Sequence, residues 1–181
     1  MRVFIALELP EEIKTEIKFL QQQLDKAGVQ ARWIKPTIAH LTLVFLGSMT
    51  PNKVEPLSQI LEEVAGQIKP IELRLLKIGC FPNLARARII FVDLNGERDK
   101  LNVLATKIRK GLKKEKIWFD KKPFATHLTL GRIKKIKNLT KILKRVAVKR
   151  IEFRAKEVTL NKSDLGPAGP TYTKLKKVAL V

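Results

Sequence analysis

Apolar residues recur along this chain with two different periods, and each change of period marks an element. Val3 to Leu7 is a short β-rich run that reads as a strand. Pro10-Glu11-Glu12 then opens a helix, since proline and acids both suit the first helical turn, and Ile13, Ile17, Leu20 and Leu24 fall on its inward face. A strand around His40 follows. Gly47 and Thr50-Pro51 lead into a second helix with Val54, Leu57, Leu61, Val64 and Ile68 inward, and Ile71 to Ile78 reads as a strand. The same order then restarts. Ile90 to Leu94 is a strand, Leu101, Leu104, Ile108 and Leu112 line a helix, and a second histidine strand follows. Asn138 caps a helix carrying Leu139, Ile142, Leu143 and Val146, and Ile151 to Leu160 and Thr173 to Val181 are closing strands.

The order repeats because the sequence does. Lys35-Pro36-Thr37-Ile38-Ala39-His40-Leu41-Thr42-Leu43 returns as Lys122-Pro123-Phe124-Ala125-Thr126-His127-Leu128-Thr129-Leu130, at a constant offset of 87 residues. Val3-Phe4-Ile5-Ala6-Leu7 shifts onto Ile90-Phe91-Val92-Asp93-Leu94 by the same step. The expected fold is therefore α+β: two lobes related by a pseudo-twofold axis, each an antiparallel sheet flanked by helices, with a cleft between them. Residues 1–181 read as a single bilobal unit.

The two histidines of the chain, His40 and His127, occupy matching places in this repeat. Alternate side chains of a strand share a face, so His40 and Thr42 point one way while Leu41 and Leu43 enter a core, and His127 and Thr129 follow suit. If the lobes face each other, two imidazoles and two hydroxyls converge. Imidazoles titrate near neutrality, so one can take a proton from an attacking oxygen while the other gives one to a leaving oxygen. That pairing suits in-line phosphoryl transfer without a metal. Thr42 and Thr129 would hold the nonbridging phosphate oxygens, and Arg132 would neutralise the charge that builds up, although its spacing equally fits a surface arginine. No Gly-x-x-x-x-Gly-Lys-Ser/Thr loop and no carboxylate cluster is present, which disfavours nucleoside triphosphate and two-metal chemistry.

Composition sharpens the partner. The net charge of +20 on 181 residues points to a polyanion. Residues 1–96 hold 12 basic and 10 acidic side chains, whereas residues 97–181 hold 25 and 7. From 121 to 151 there are eleven lysines and arginines and no acid, so the ion-pair networks that offset lysine enrichment in thermophiles are missing there. The 45% hydrophobic content excludes a disordered polycation. One cysteine, Cys80, excludes an intrachain disulfide, leaves no structural zinc set, and is expected to be a small buried hydrophobe. No apolar run approaches the roughly 20 residues of a membrane span, and the first ten residues lack a signal-peptide pattern, so a cytoplasmic protein without membrane contact is expected. Abundant Lys and Ile with few Cys, Met and His suggest a thermophile source.

With the paired His-Leu-Thr-Leu motifs in place, the sequence resembles the two-histidine (2H) phosphoesterase superfamily, and within it the RNA 2′,3′-cyclic phosphodiesterases, also called 2′-5′ RNA ligases. The resemblance extends to Phe4-Ile5-Ala6-Leu7, Trp33 ahead of Lys35-Pro36, Phe45-Leu46-Gly47, Gly79-Cys80-Phe81-Pro82, Arg88, Gly131-Arg132 and the segment Ser163 to Thr173. It implies hydrolysis of the 2′,3′-cyclic phosphate at an RNA end to a 2′-phosphate, and reversible 2′-5′ joining, with no cofactor. Implied partners are RNAs with 2′,3′-cyclic phosphate or 5′-hydroxyl ends, tRNA halves among them, and nucleotides, acted on by a monomer. By position, His40 and His127 become the catalytic pair, with His127 as base and His40 as acid for hydrolysis, and Thr42, Thr129 and Arg132 become the phosphate ligands. Phe81 and Tyr172, like Trp33, read either as base-stacking aromatics or as packing ones. A noncatalytic RNA- or nucleotide-binding module that keeps the cleft is the alternative, and a basic structural RNA-associated protein a third reading. Pure binding, however, does not need two proton-transfer groups.

Overall fold

A computed structural model describes residues 1–167 and 169–181; Ala168, inside the Ser163 to Thr173 segment, lies outside them. Strand β1 (Arg2–Glu8) leads into helix α1 (Glu11–Lys26), the short strand β2 (Ala31–Trp33) and strand β3 (His40–Ser48). A 3-10 turn over Pro51–Lys53 precedes α2 (Val54–Ala65), and β4 (Ile71–Phe81) closes the first half. The second half runs β5 (Ala87–Gly96), α3 (Arg98–Lys114), β6 (His127–Lys137), α4 (Thr140–Leu143), β7 (Glu152–Ala155), β8 (Glu157–Gly166) and β9 (Gly169–Ala179).

Two antiparallel sheets result, one ordered β3-β1-β8-β9 and the other β2-β6-β5-β4-β7. They correspond strand for strand, with β3 and β1 matching β6 and β5 at the 87-residue step, and β2 added at one edge. The closing strands, however, change sides. β4 follows the first half in sequence but pairs with β5, and β8 follows the second half but pairs with β1. Each sheet is therefore built from both halves of the chain, and neither half can complete its sheet alone.

Most expected elements are present, with four differences. The run Ile151 to Leu160 is two strands, since β7 pairs with β4 and, one residue after it, β8 pairs with β1 in the other sheet. The helix expected from Leu139 to Val146 is only one turn, Thr140–Leu143, although the Asn138 side chain does accept the Thr140 N–H at 3.0 Å. Beyond it, Lys144, Arg145, Lys149 and Arg150 have no glutamate four residues away to hold further turns. Ile68 lies past the end of α2, yet is buried. The strand β2 was not expected, being three residues long.

Leu41, Leu43, Leu128 and Leu130 enter the core, joined by Ile13, Ile17, Leu20 and Leu24 of α1 and by Leu101, Leu104, Ile108 and Leu112 of α3. Glu16 and Gln21 are the polar residues buried on α1, and Gln21 bridges to the neighbouring sheet. Its amide donates to the Ile34 carbonyl at 2.6 Å and to the Leu130 carbonyl at 3.0 Å, which ties α1 to the sheet carrying His127.

Candidate active site

His40 begins β3 and His127 begins β6, so each imidazole stands at a strand start where the chain enters its sheet. The burial pattern matches the expected alternation: His40, Thr42, His127 and Thr129 are half-buried, while the intervening leucines are enclosed. Both rings are held alike. His40 Nδ1 lies 2.9 Å from the Ile38 carbonyl and His127 Nδ1 lies 2.7 Å from the Ala125 carbonyl, two residues back in each case. A carbonyl only accepts, so Nδ1 carries hydrogen in both rings and Nε2 is the nitrogen that can gain or lose a proton.

Aromatic rings fix the planes. Phe4 stacks on His40 at 4.6 Å, and Tyr172 meets it edge-on at 5.2 Å. Phe81 and Phe91 stand at steep angles to His127, at 5.1 and 5.5 Å, and lie 4.4 Å from each other. Phe4 and Phe91 are equivalent positions of the repeat, so the support is duplicated along with the histidines. The sequence resemblance pointed to Phe81 and Tyr172 but assigned Phe4 and Phe91 no role; their shared offset of 87 from one another was the available signal. Trp33 is a packing residue, its ring against Gly131 and its indole N–H donating to Asp25 Oδ1 at 3.4 Å.

Arg132 reaches the same face by an irregularity. Three residues separate it from Thr129, which in a regular strand puts the two on opposite faces. Here Thr129 pairs with Phe91 and Arg132 with Ile89, with a register shift between Ile90 and Phe91. Phe91 and Ile89 share a face, so the extra residue in β6 brings Arg132 round to the side of His127 and Thr129. Its charge is felt across the cleft. Burial raises the Tyr172 hydroxyl above its ordinary value, and Arg132 pulls it back.

The two imidazoles also sense each other. Burial draws His40 below its ordinary value, the hydrogen bond to the Ile38 carbonyl opposes this, and charge on His127 adds to the lowering. Beside His40 lies a cavity of about 150 Å³ lined by Phe4, Glu8, Thr159, Asn161, Tyr172 and Lys174. Thr159 and Asn161 make its floor polar though buried, with the more exposed Glu8 and Lys174 at the rim. Asn161 donates to Thr159 Oγ1 at 2.8 Å, Thr159 donates to the Ala6 carbonyl at 3.2 Å, and Lys174 pairs with Glu8. Cys80 is buried away from this chemistry, and burial pushes its thiol up to about 11. Among the described residues no group of three or more His, Cys, Asp or Glu could hold a metal ion, and no helix is long and apolar enough to cross a membrane.

A family model for LigT-like phosphoesterases matches twice in succession, over residues 7–91 and 92–172, one match for each histidine motif. The chain is a LigT-like phosphoesterase. Among curated relatives, the RNA 2′,3′-cyclic phosphodiesterase of Methanocaldococcus jannaschii is 34% identical over 98% of this chain and 99% of its own length. The protein of that name from Archaeoglobus fulgidus is 31% identical over 97% and 98%. Among solved structures, a Thermus thermophilus protein superposes with a TM-score of 0.85 at 29% identity, covering 99% of this chain and 98% of that one. Escherichia coli LigT in complex with 3′-AMP gives 0.73 at 26% identity, covering 99% and 97%. This LigT-like chain thus shares its two-sheet α+β architecture with these solved structures.

Proposed function

We propose that the chain opens 2′,3′-cyclic phosphates at RNA ends to 2′-phosphomonoesters, using His40 and His127 as its proton-transfer pair and the two lobes as one catalytic unit. The observation that carries this is the mirrored tethering of the histidines: both Nδ1 atoms are committed to backbone carbonyls, which leaves both Nε2 atoms for one reacting group. The relatives that bear the name RNA 2′,3′-cyclic phosphodiesterase support the substrate class, as does a net charge of +20.

In hydrolysis, water attacks phosphorus in line with the P–O3′ bond. One imidazole takes the water proton as the P–O2′ ester is kept and the P–O3′ bond breaks, and the other protonates O3′. Thr42 and Thr129 donate to the nonbridging oxygens, and Arg132 stabilises the charge concentrated on them in the transition state. The base and ribose occupy the polar cavity beside His40, whose lining includes the Tyr172 ring as a surface for the base, while Phe81 stands on the His127 side. A 5′-hydroxyl in place of water gives a 2′-5′ linkage with the same proton movements, and reversal exchanges the two histidine roles.

The depressed His40 bears on those roles. An imidazole kept neutral by burial in the free protein can act as acid only if it gains a proton when the substrate arrives. The phosphate anion supplies the cause, since a negative charge beside the ring favours its charged form. His40 as acid and His127 as base are therefore a property of the complex.

The test is incubation with an RNA ending in a 2′,3′-cyclic phosphate in the presence of EDTA. A 2′-phosphate product is expected. Unchanged RNA, or a product with a 3′-phosphate, overturns the proposal.

A further inference from the structure

The face that carries His127, Thr129 and Arg132 does not end at β6. Strand β2 is hydrogen-bonded to its outer edge, with Arg32 directly opposite Arg132, Ala31 opposite Ile133 and Trp33 opposite Gly131. Cross-strand partners share a face, so Arg32 stands on the catalytic face beside Arg132. The flanking Ala31 and Trp33 pack against the core, leaving Arg32 as the exposed side chain of this short strand. β2 is also rigidly placed. The Ile34 N–H donates to the Leu130 carbonyl at 2.9 Å, and the Lys134 N–H to the Gln30 carbonyl at 3.1 Å. A Cβ on Gly131 would meet the Arg32 carbonyl oxygen at 2.9 Å, so the two strands approach closely.

Like charges directly opposite each other in a sheet repel and destabilise the pairing. Among the described residues neither Arg32 nor Arg132 is in an ion pair. Two uncompensated guanidiniums, side by side on the surface that holds the reacting groups, form a site for anionic oxygens in two neighbouring groups. Arg132 sits on the histidine strand, and Arg32 one interstrand step, about 4.8 Å, further out.

We infer that Arg32 binds the phosphodiester adjoining the terminal cyclic phosphate, so that the cleft recognises an RNA strand and not only its last nucleotide. This rests on the phosphodiesterase reading and extends it along the chain of the substrate. Arg132 serves the reacting phosphate and Arg32 the next one, with the RNA leaving the cleft across the β6 and β2 edge.

The experiment compares wild-type, Arg32→Ala and Arg32→Lys proteins on a cyclic mononucleotide and on an oligonucleotide ending in a 2′,3′-cyclic phosphate. Affinity for the corresponding 2′-phosphorylated oligonucleotide is measured across a salt series. For Arg32→Ala the oligonucleotide kcat/KM falls about tenfold more than the mononucleotide value, and the slope of log affinity against log salt becomes shallower by about 0.7, one single-strand phosphate contact. Arg32→Lys keeps the charge and retains most of the slope, which a merely structural role would not reproduce. Equal losses on both substrates, or an unchanged slope, overturn the inference. If the wild-type protein turns over neither substrate, the phosphodiesterase reading itself fails, and the salt slopes still report whether Arg32 touches RNA.

Discussion

Gly79 lies opposite Phe91 in the β4–β5 pair, and the ring covers it closely: a Cβ built on Gly79 would fall 2.6 and 2.7 Å from two ring carbons. Carbon atoms prefer separations of about 3.5–4.0 Å, so Gly79→Ala forces the ring to move by about 1 Å. Overpacking of this kind costs about 1–3 kcal/mol, a loss of roughly 2–12 °C in Tm for a chain of this size. The same ring stands 5.5 Å from His127 and 4.4 Å from Phe81, so its displacement carries into the imidazole. A misplacement of about 1 Å in a reacting group costs on the order of 100-fold in kcat. Gly111→Ala supplies the comparison, because a Cβ there is crowded to 2.7 Å from Ile60 on α2, at the α2–α3 contact. It should lower Tm somewhat less, since alanine regains about 1 kcal/mol of helix propensity, and it should spare kcat. Turnover of a cyclic-phosphate RNA and thermal melts on both variants decide the matter. Full kcat in Gly79→Ala, or an equal fall in the two variants, refutes the idea that Phe91 positions His127.

Three further outcomes follow from the same geometry. By NMR titration, His40 in the free protein should have a pKa below the ordinary value of about 6.5, and it should rise when a nucleoside 2′-monophosphate binds; a value that stays low moves the acid role to His127. Gln21→Leu leaves the Ile34 carbonyl without its donor, while the Leu130 carbonyl keeps the Ile34 N–H, so urea unfolding should show a loss of about 1–3 kcal/mol; an unchanged midpoint contradicts the tie between α1 and β6. Cys80, buried and with its thiol at about 11, should not react with a thiol reagent at pH 8 until the protein is unfolded, and rapid labelling of the native protein contradicts that placement.

The histidine strands were legible because their information is local. The alternation His40-Leu41-Thr42-Leu43 and its copy at His127 assign faces without reference to the rest of the fold, and helices α1 and α3 declare themselves by the spacing of their buried residues. Strand partners are not local. Nothing in Ile71 to Phe81 says that β4 joins β5 and not β1, and the single residue Lys156 at which the chain leaves one sheet for the other shows only as a break in the apolar and polar alternation, where Lys156 and Glu157 stand side by side. Arg132 shows the same limit, since a bulge decides its face. Phe4 and Phe91 read as ordinary strand apolars until the structure sets their rings beside the imidazoles. The basic segment from 121 to 151 surrounds the second histidine motif in sequence, yet Arg32, in the nearly neutral half, stands beside Arg132 on the same face.

The central claim is that His40 and His127 act as one proton-transfer unit. Its most direct test is kcat/KM on a 2′,3′-cyclic phosphate RNA for His40→Ala, His127→Ala and the double variant, each checked for folding by its thermal melt. The account predicts a loss of about 10²- to 10⁴-fold in each single variant, with the double variant little worse than the weaker single one, because groups that work as a unit are not additive. Near-wild-type turnover in either single variant, or losses that simply multiply in the double, would contradict it.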